Sequence, residues 1–348
     1  MRALALGILL GGCGGAALPH GAGAAACGSC HVEQHAQWTG TAHARSVASP
    51  VFQALLPRVE GAWGEAARAR CVACHQPGHG GDEGLGCVTC HGAVGNRGTA
   101  NGALVVSLDA PLAGTKRVSN AVHEVEPRGF LSSPALCGTC HEVHGPGLLD
   151  EPTLTEFTAA SWADGCVGCH TRPQGERSHR LLGVDPPWGA APSEATRSAD
   201  EARALWARAL TLELLGVDGA AQVHLTNTGA AHAVPTGATH LRDVWVDVEA
   251  TDARGRTVLF PRVMQLGARL TREGAEVALV TDATRVEPRG LAPQERRTVR
   301  VELPPEGAPW EVSATLRARA VRADTLAALA LEGVEVPELE VSRAARGR

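Results

Sequence analysis

A five-residue word, Cys-x-x-Cys-His, occurs five times in the first half of the chain. Its two thiols can each bond one vinyl group of the same porphyrin, and the following histidine can then bind the iron from below. The word therefore predicts five covalently attached c-type haems, each with two thioether cysteines and one proximal histidine. The copies are Cys27-Gly-Ser-Cys30-His31, Cys71-Val-Ala-Cys74-His75, Cys87-Val-Thr-Cys90-His91, Cys137-Gly-Thr-Cys140-His141 and Cys166-Val-Gly-Cys169-His170.

Paired cysteines two residues apart are also typical of structural zinc sites, so zinc is the alternative reading. Zinc would take two such pairs per ion, and five pairs leave one over. Zinc would also have no use for a histidine after every pair. The zinc interpretation is therefore rejected in favour of haem.

The eleventh cysteine, Cys13, ends a short apolar segment that follows a single arginine. The segment is too short to cross a bilayer and is typical of an export signal. Its ending, Leu10-Gly-Gly-Cys13, is similar to a bacterial lipobox, in which the cysteine is lipidated; an ordinary cleaved signal is the alternative. We expect a signal peptide over 1–12, a flexible tether over 13–26, and a periplasmic or outer-membrane lipoprotein bound to the lipid membrane through Cys13.

The segment 27–183 must fold with few ordinary core residues. The chain has no tyrosine and four phenylalanines, and its formal charge of −5 gives no basic excess that would suit nucleic acid. Five porphyrins must therefore serve as the core, carried on short helices such as those predicted within 32–46 and 57–71, with one short strand within 103–108. We predict a pentahaem cytochrome c domain over 27–183.

A linker with a helix is predicted over 184–208, with Ser198 and Glu201 as its capping box. Beyond residue 209, apolar and polar residues alternate between turn signals, which favours an antiparallel β-sandwich domain over 209–348. The fold class is thus α+β and multidomain, with a mainly helical, haem-packed domain before the sandwich. The predicted strands are 222–228, 243–250, 257–260, 277–281, 298–303 and 311–320.

Ten histidines lie outside the five words and are candidates for the opposite side of each iron. Three of them, His35, His79 and His144, follow a proximal histidine by three or four residues on one helical face. Such a residue cannot reach the far side of its own haem, but it could serve a neighbouring one or contact a propionate. His224 and His240 are predicted to be structural, and His20 to be solvated.

Several segments resemble the cytochrome c-554-type multihaem cytochromes. The opening CGSCHVEQHAQWTGTAHA (27–44) resembles the family's first motif, in which a tryptophan and a ligating histidine follow; this maps onto Trp38 and His43. The resemblance also implies distal ligands at His123 in SNAVHEVEP and His179 in SHRLLGV. TNTGAAHAVPTGATHL (226–241) is similar to the GHxxPTG signature of relatives with a C-terminal sandwich, with His232 as ligand; Ala231 stands where that signature has glycine.

These four distal ligands serve five irons, so one iron is completed by His79, His144 or His35, or is left five-coordinate. The leading function is electron transfer in a respiratory chain by an exported carrier, which is favoured over a catalytic role. Its redox partners would be a quinol-oxidising complex, other cytochromes or a terminal reductase. The alternatives are a multihaem reductase of small nitrogen or sulfur oxyanions, or a docking module of a larger redox complex.

Overall fold

The computed structural model describes residues 23–77, 84–119, 122–171, 178–185, 188–216, 219–307 and 309–346. Cys13, His20 and His79 lie outside these residues, so the predictions made for them concern parts that the structure does not describe. Within the described residues, no helix is both long enough and apolar enough to cross a bilayer.

Short helices dominate the N-terminal part and carry the haem-attachment words. Two of them begin with a serine whose side chain accepts a hydrogen bond from the first turn and with proline in that turn, which is a favoured start for a helix. The helices are α1 (Ala24–Gly28), α2 (Val32–Thr39), α3 (Pro50–Trp63), α4 (Glu65–His75), α5 (Cys87–His91), α6 (Pro134–Gly138), α7 (Thr153–Ala160) and α8 (Gly165–His170), with a 3-10 helix at Gly129–Ser132.

Three two-stranded sheets lie among these helices. The first pair and the last pair are antiparallel, and the middle pair is parallel. The strand predicted within 103–108 is present as the second strand. The six strands are β1 (Ala93–Asn96), β2 (Leu104–Val106), β3 (Leu112–Gly114), β4 (Val125–Pro127), β5 (Val143–His144) and β6 (Asp150–Glu151).

The C-terminal part is built from antiparallel strands that follow a long helix. One sheet has four strands in the order β10-β9-β15-β16, and two others have three strands each, in the orders β14-β8-β7 and β12-β11-β13. The elements are α9 (Pro192–Ala209), β7 (Leu210–Leu215), β8 (Ala220–Asn227), β9 (Asp243–Thr251), β10 (Thr257–Leu266), β11 (Ala268–Arg272), β12 (Ala275–Glu276), β13 (Arg285–Pro288), β14 (Arg296–Glu302), β15 (Glu311–Arg319), α10 (Ala323–Ala328) and β16 (Glu338–Arg346).

The larger hydrophobic core joins residues of β8, β9, β15 and α9. Val223, Val246 and Leu316 are fully buried in it, and Trp206 of α9 packs against the same cluster. Each such aliphatic side chain contributes about 1.5–3 kcal/mol relative to exposure. Alternate residues of these strands supply the core, which is the pattern that the sequence predicts for this part.

A second, smaller core joins the two parts of the chain. Val51 of α3 packs with Leu279, Val321 and Leu326 from the C-terminal part. The guanidinium of Arg58, also on α3, donates to the carbonyl of Ala328 at 3.0 Å. The N-terminal helices therefore rest directly on the strand-rich part.

Two expectations about local structure are wrong. The long helix begins at Pro192 and not at Ser198, so Ser198 and Glu201 lie inside it, and Glu201 instead pairs with Arg180. Residues 277–281 form no strand. The apolar side chains of Leu279 and Val280, which suggested a strand, are buried although these residues lie in a loop. The fold contains both helices and several antiparallel sheets, which agrees with the predicted α+β class.

Candidate haem-binding site

Each haem-attachment word lies on a short helical turn that brings its histidine beside its cysteines. Words two, three and five end α4, α5 and α8 with the histidine as the last helical residue. In words one and four the histidine N–H donates to the carbonyl of the first cysteine at 2.9 Å. Cys30 is disulfide-bonded, and a thioether at Cys30 requires that bond to be open.

Four of the five proximal histidines face a histidine from outside the words. The ring centres are 6.1 Å apart in the first three of these pairs and 6.2 Å apart in the fourth. The outside members are the four that the family resemblance implies. The pairs are His31 with His123, His43 with His141, His91 with His179, and His170 with His232.

The spacing of these pairs fits a single iron between two imidazoles. A metal–imidazole nitrogen bond is about 2.0–2.1 Å long, and two such bonds in line place the ring centres about 6 Å apart. Unliganded histidines packed in a core would instead stack in direct contact or bond to polar neighbours. The four pairs therefore have the geometry of bis-histidine haem sites.

The second ring nitrogen of several of these histidines is held by a backbone carbonyl. His91 Nδ1 donates to Ala113 O at 2.7 Å, and His170 Nδ1 donates to Leu182 O at 2.7 Å. On the opposite side, His232 Nδ1 donates to Ala233 O at 2.8 Å. Such a bond fixes the proton on Nδ1 and the ring orientation, which leaves Nε2 to bind the metal.

The His43–His141 pair lies among other imidazoles. Burial lowers the pKa of each imidazole to about 4, and the nearby imidazoles of His170 and His75 act in the same direction. Both rings are therefore neutral at ordinary pH, which is the form that binds a metal. The backbone of His43 is fixed by Leu85, whose N–H donates to His43 O at 2.9 Å and whose carbonyl accepts from Trp38 Nε1 at 2.8 Å.

Neighbouring words meet through their cysteines, so the haems they carry must adjoin. The thiols of Cys74 and Cys140 lie close enough for each to shift the pKa of the other, which brings words two and four together. The thiols of Cys137 and Cys166 join words four and five in the same way. Cys90, in word three, lies close enough to Cys140 for the charge of that thiol to raise its pKa, after burial as the main cause.

The first word connects to the third through the distal histidines. Burial lowers the pKa of His179, and the charges of His91 and His31 lower it further. The five words thus form one connected set, with word four in contact with words two, three and five, and word one beyond word three.

His75 differs from the other proximal histidines. Its ring stacks on Phe52 of α3, with the centres 4.2 Å apart and the planes 13° apart. A metal bond would lie in the plane of the imidazole. The Phe52 ring covers the flat face of that imidazole, so it packs beside the proximal ligand and supplies no second ligand. No histidine in the described part of the chain faces His75 as the four other pairs face each other.

The remaining candidate ligands are placed as follows. His144 has both ring nitrogens engaged by carboxylates, with Nδ1 2.9 Å from Asp150 Oδ1 and Nε2 3.1 Å from Glu142 Oε1, which argues against iron binding. His35 packs on Trp38, with ring centres 5.7 Å apart. His224 lies in β8 and His240 is buried near Arg242, so neither approaches a proximal histidine.

A buried group of charged residues lies between the two parts, and nothing in the sequence patterns singled it out. Both guanidinium nitrogens of Arg242 donate to the Asp185 carboxylate, at 2.6 and 2.9 Å. Burial raises the pKa of Glu151 to about 7, against the attraction of Arg242. Burial raises the pKa of Cys71, and Cys140 together with burial raises that of Cys74; the charge of Glu151 is a smaller cause at both, which places this carboxyl near the second word.

Glu151 should make the potential of the haem on the second word depend on pH. Reduction removes a positive charge beside the carboxyl, so the pKa of Glu151 rises on reduction and a proton is taken up. Below pH 7 the carboxyl is protonated in both states and the potential is constant. Between pH 7 and the higher pKa that the carboxyl has beside the reduced haem, the potential should fall by up to about 59 mV per pH unit, and above that pKa it is constant again. Potentiometric titration at several pH values measures this slope.

The matched variants are Glu151→Gln, which should abolish the slope, and Glu213→Gln. Glu213 pairs with Arg296 on the surface of β7, so its neutralisation should leave the slope as in the wild type. A slope that survives in Glu151→Gln would assign the proton to another group.

Comparison with known proteins gives one family match and one close structural match. Residues 26–92 match the family described as cytochrome c554 and c-prime. The fold is similar to the crystal structure of a penta-heme cytochrome c552 from Thermochromatium tepidum, with a TM-score of 0.72, 19% identity, and coverage of 94% of this chain and 99% of that one.

A putative ApaA protein from Bordetella pertussis matches 39% of this chain and 87% of its own, at 15% identity and a TM-score of 0.17, from which nothing is argued. No curated protein matches the chain. The family match covers 67 of the 348 residues, and the structural likeness, at 19% identity, shows the fold alone. Both findings agree with the resemblance of the motifs to multihaem c-type cytochromes.

Proposed function

We propose that this protein is an exported c-type cytochrome that carries electrons with five covalent haems, of which four have two histidine ligands. The observation that supports this best is the set of four histidine pairs about 6 Å apart, each joining one attachment word to a residue outside the words. An iron held on both sides has no open position, so it suits one-electron transfer better than substrate binding.

The contacts between words support the same function. Adjoining words carry adjoining porphyrins, and the connected set of five gives an electron a continuous path through the protein. The partners would be other redox proteins, such as a quinol-oxidising complex, another cytochrome or a terminal reductase. We further propose that the two parts are separate domains, with the haems in 27–183 and a β-sandwich over 209–348 joined by the linker and helix 184–208.

Stopped-flow oxidation tests the carrier function. Fully reduced protein mixed with an excess of a ferric c-type cytochrome should deliver about five electrons per chain, one for each attachment word. A parallel assay should supply nitrite or hydroxylamine to protein kept reduced. Poor transfer to the cytochrome together with sustained consumption of either small molecule would contradict the carrier function.

A reductase function is the second candidate, and the His75 site favours it. Within the described residues that site lacks a facing histidine, and the Glu151 carboxyl beside its cysteines could supply protons. One five-coordinate iron with a proton donor is the minimum that reduction of a small nitrogen or sulfur oxyanion needs. His79 lies outside the described residues and is the other proposed ligand for this iron.

Attachment to a membrane is proposed from Cys13, which also lies outside the described residues. Cys13→Ser should move the protein from the membrane fraction to the soluble periplasmic fraction, because a lipid chain on that cysteine is the proposed anchor. Covalent haem content should stay unchanged, since no attachment word is touched. Fractionation with haem staining measures both. A wild-type protein already found wholly in the soluble fraction would contradict the lipid anchor.

A further inference from the structure

The loop that carries His232 is held from within the strand-rich part by one buried amide. Asn227, at the end of β8, donates from Nδ2 to His232 O at 2.9 Å and to Leu291 O at 3.0 Å, and its Oδ1 accepts from Ala230 N at 3.0 Å. Asn227 is fully buried, so these bonds are shielded from water. They fix the start of the loop, and Val234 is held by two backbone hydrogen bonds with Leu291, at 3.0 and 2.9 Å. The bonds of Ala233 N and of the Thr236 side chain go instead to the other part of the chain.

The partner of Ala233 and Thr236 is a carboxylate from the haem-bearing part. Glu156 of α7 accepts two hydrogen bonds at Oε2, one from Ala233 N at 3.0 Å and one from the Thr236 hydroxyl at 2.7 Å. The Thr236 hydroxyl also lies 2.9 Å from that of Thr153, at the start of the same helix. Both bonds to Glu156 involve an ionisable acceptor, which makes them stronger than bonds between neutral groups.

The position of α7 connects this clamp to the iron. The helix lies between the fourth and fifth attachment words, so one end of the clamp moves with the segment that carries His170. The other end holds Ala233, the residue next to His232, and the Ala233 carbonyl accepts from His232 Nδ1. The hydrogen bonds to Glu156 thus fix the distance and the orientation of the His232 imidazole relative to the His170 ring, whose centre is 6.2 Å away.

We propose that Glu156, supported by Thr153, is a positioning residue that holds His232 on the iron bound by His170. The proposal rests on the proposed function, because it presumes that the His170–His232 pair holds a haem. A ligand on a loop from another part of the chain stays bound only if its backbone is fixed to within a fraction of an ångström. Loss of the clamp should therefore raise the fraction of molecules in which His232 has left the iron.

The test compares Glu156→Ala, Glu156→Gln and His232→Ala as complete holoproteins with full covalent haem content. Apparent affinity for an external ligand scales with the population of the open state. Cyanide affinity at one haem should therefore rise on the order of tenfold in Glu156→Ala, with a matching gain of ferric high-spin signal. Glu156→Gln keeps an oxygen acceptor and should stay close to wild type.

Asp252→Ala is the matched control. Asp252 is another buried carboxylate that holds a turn, accepting from Arg254 N at 2.8 Å and Arg256 N at 2.9 Å, but in the β9–β10 hairpin. Its loss should leave cyanide affinity unchanged. If His232→Ala opens an iron and Glu156→Ala does not, the positioning role is overturned while the ligation stands. If His232→Ala opens no iron, the proposed ligation itself fails.

Discussion

His232→Ala should turn one low-spin haem high-spin. The His232 imidazole lies opposite His170, and its Nδ1 proton is fixed on the Ala233 carbonyl, so Nε2 is free to bind iron. Removal of this ligand leaves an iron that takes up water, cyanide or nitric oxide. Its potential should rise on the order of 0.1 V, a modest part of the roughly 0.8 V over which axial ligands set haem potentials. Electron paramagnetic resonance and redox titration measure both changes.

The control for this variant is His224→Ala, which removes a histidine from β8 in the same part of the chain. His224 faces no proximal histidine, so the spin state of every haem should remain as in the wild type. A wild-type spin-state spectrum in the His232 variant would show that the strand-rich part supplies no ligand. Its contribution would then be limited to packing, such as the contacts of Leu279 and Val321 with α3.

His43→Gly should have the second large effect, at the haem of the fourth word. His43 faces His141, and word four lies beside words two, three and five. The variant should lose one low-spin haem. Electrons should also pass more slowly between the other haems, because the haem of the fourth word, which lies between them, would have a changed potential. Added imidazole should fill the vacated space and restore the low-spin spectrum.

The control for this variant is His144→Gly. His144 is an exposed histidine whose two nitrogens are engaged by Asp150 and Glu142, so its loss should change neither the spectrum nor the response to imidazole. Flash reduction followed by absorption at several wavelengths measures the internal transfer rates. A low-spin fourth haem in His43→Gly without imidazole would contradict the pairing with His141.

The attachment words could be predicted from the sequence because the chemistry of each is complete within five residues. The distal histidines lie far from their partners along the chain, as His123 does from His31, and their prediction depended on resemblance to a family. The structure places all four opposite a proximal histidine, and their role as ligands stays a prediction. Their partners could not be assigned from sequence, since pairing depends on how separate helices pack.

The supporting residues left no such signal. Glu156 and Glu151 stand in ordinary polar stretches, and only the packed fold shows that one holds the His232 loop and the other lies beside Cys71 and Cys74. The apolar pattern around Leu279 predicted a strand, but this buried residue lies in a loop. The predicted start of α9 at Ser198 failed because the helix begins with proline at residue 192, six residues earlier, which the capping pattern did not take into account.

The spin-state count of the wild-type ferric protein tests the central claim most directly. Mass spectrometry should first establish five covalent haems, two cysteines to each, on the preparation used. Quantitative electron paramagnetic resonance, with magnetic circular dichroism, should then find low-spin bis-histidine iron at the four paired sites. The fifth haem, at His75, is high-spin if its iron is five-coordinate and low-spin if His79 binds it. Two or more high-spin haems in the intact protein would contradict the four histidine pairs as iron ligands.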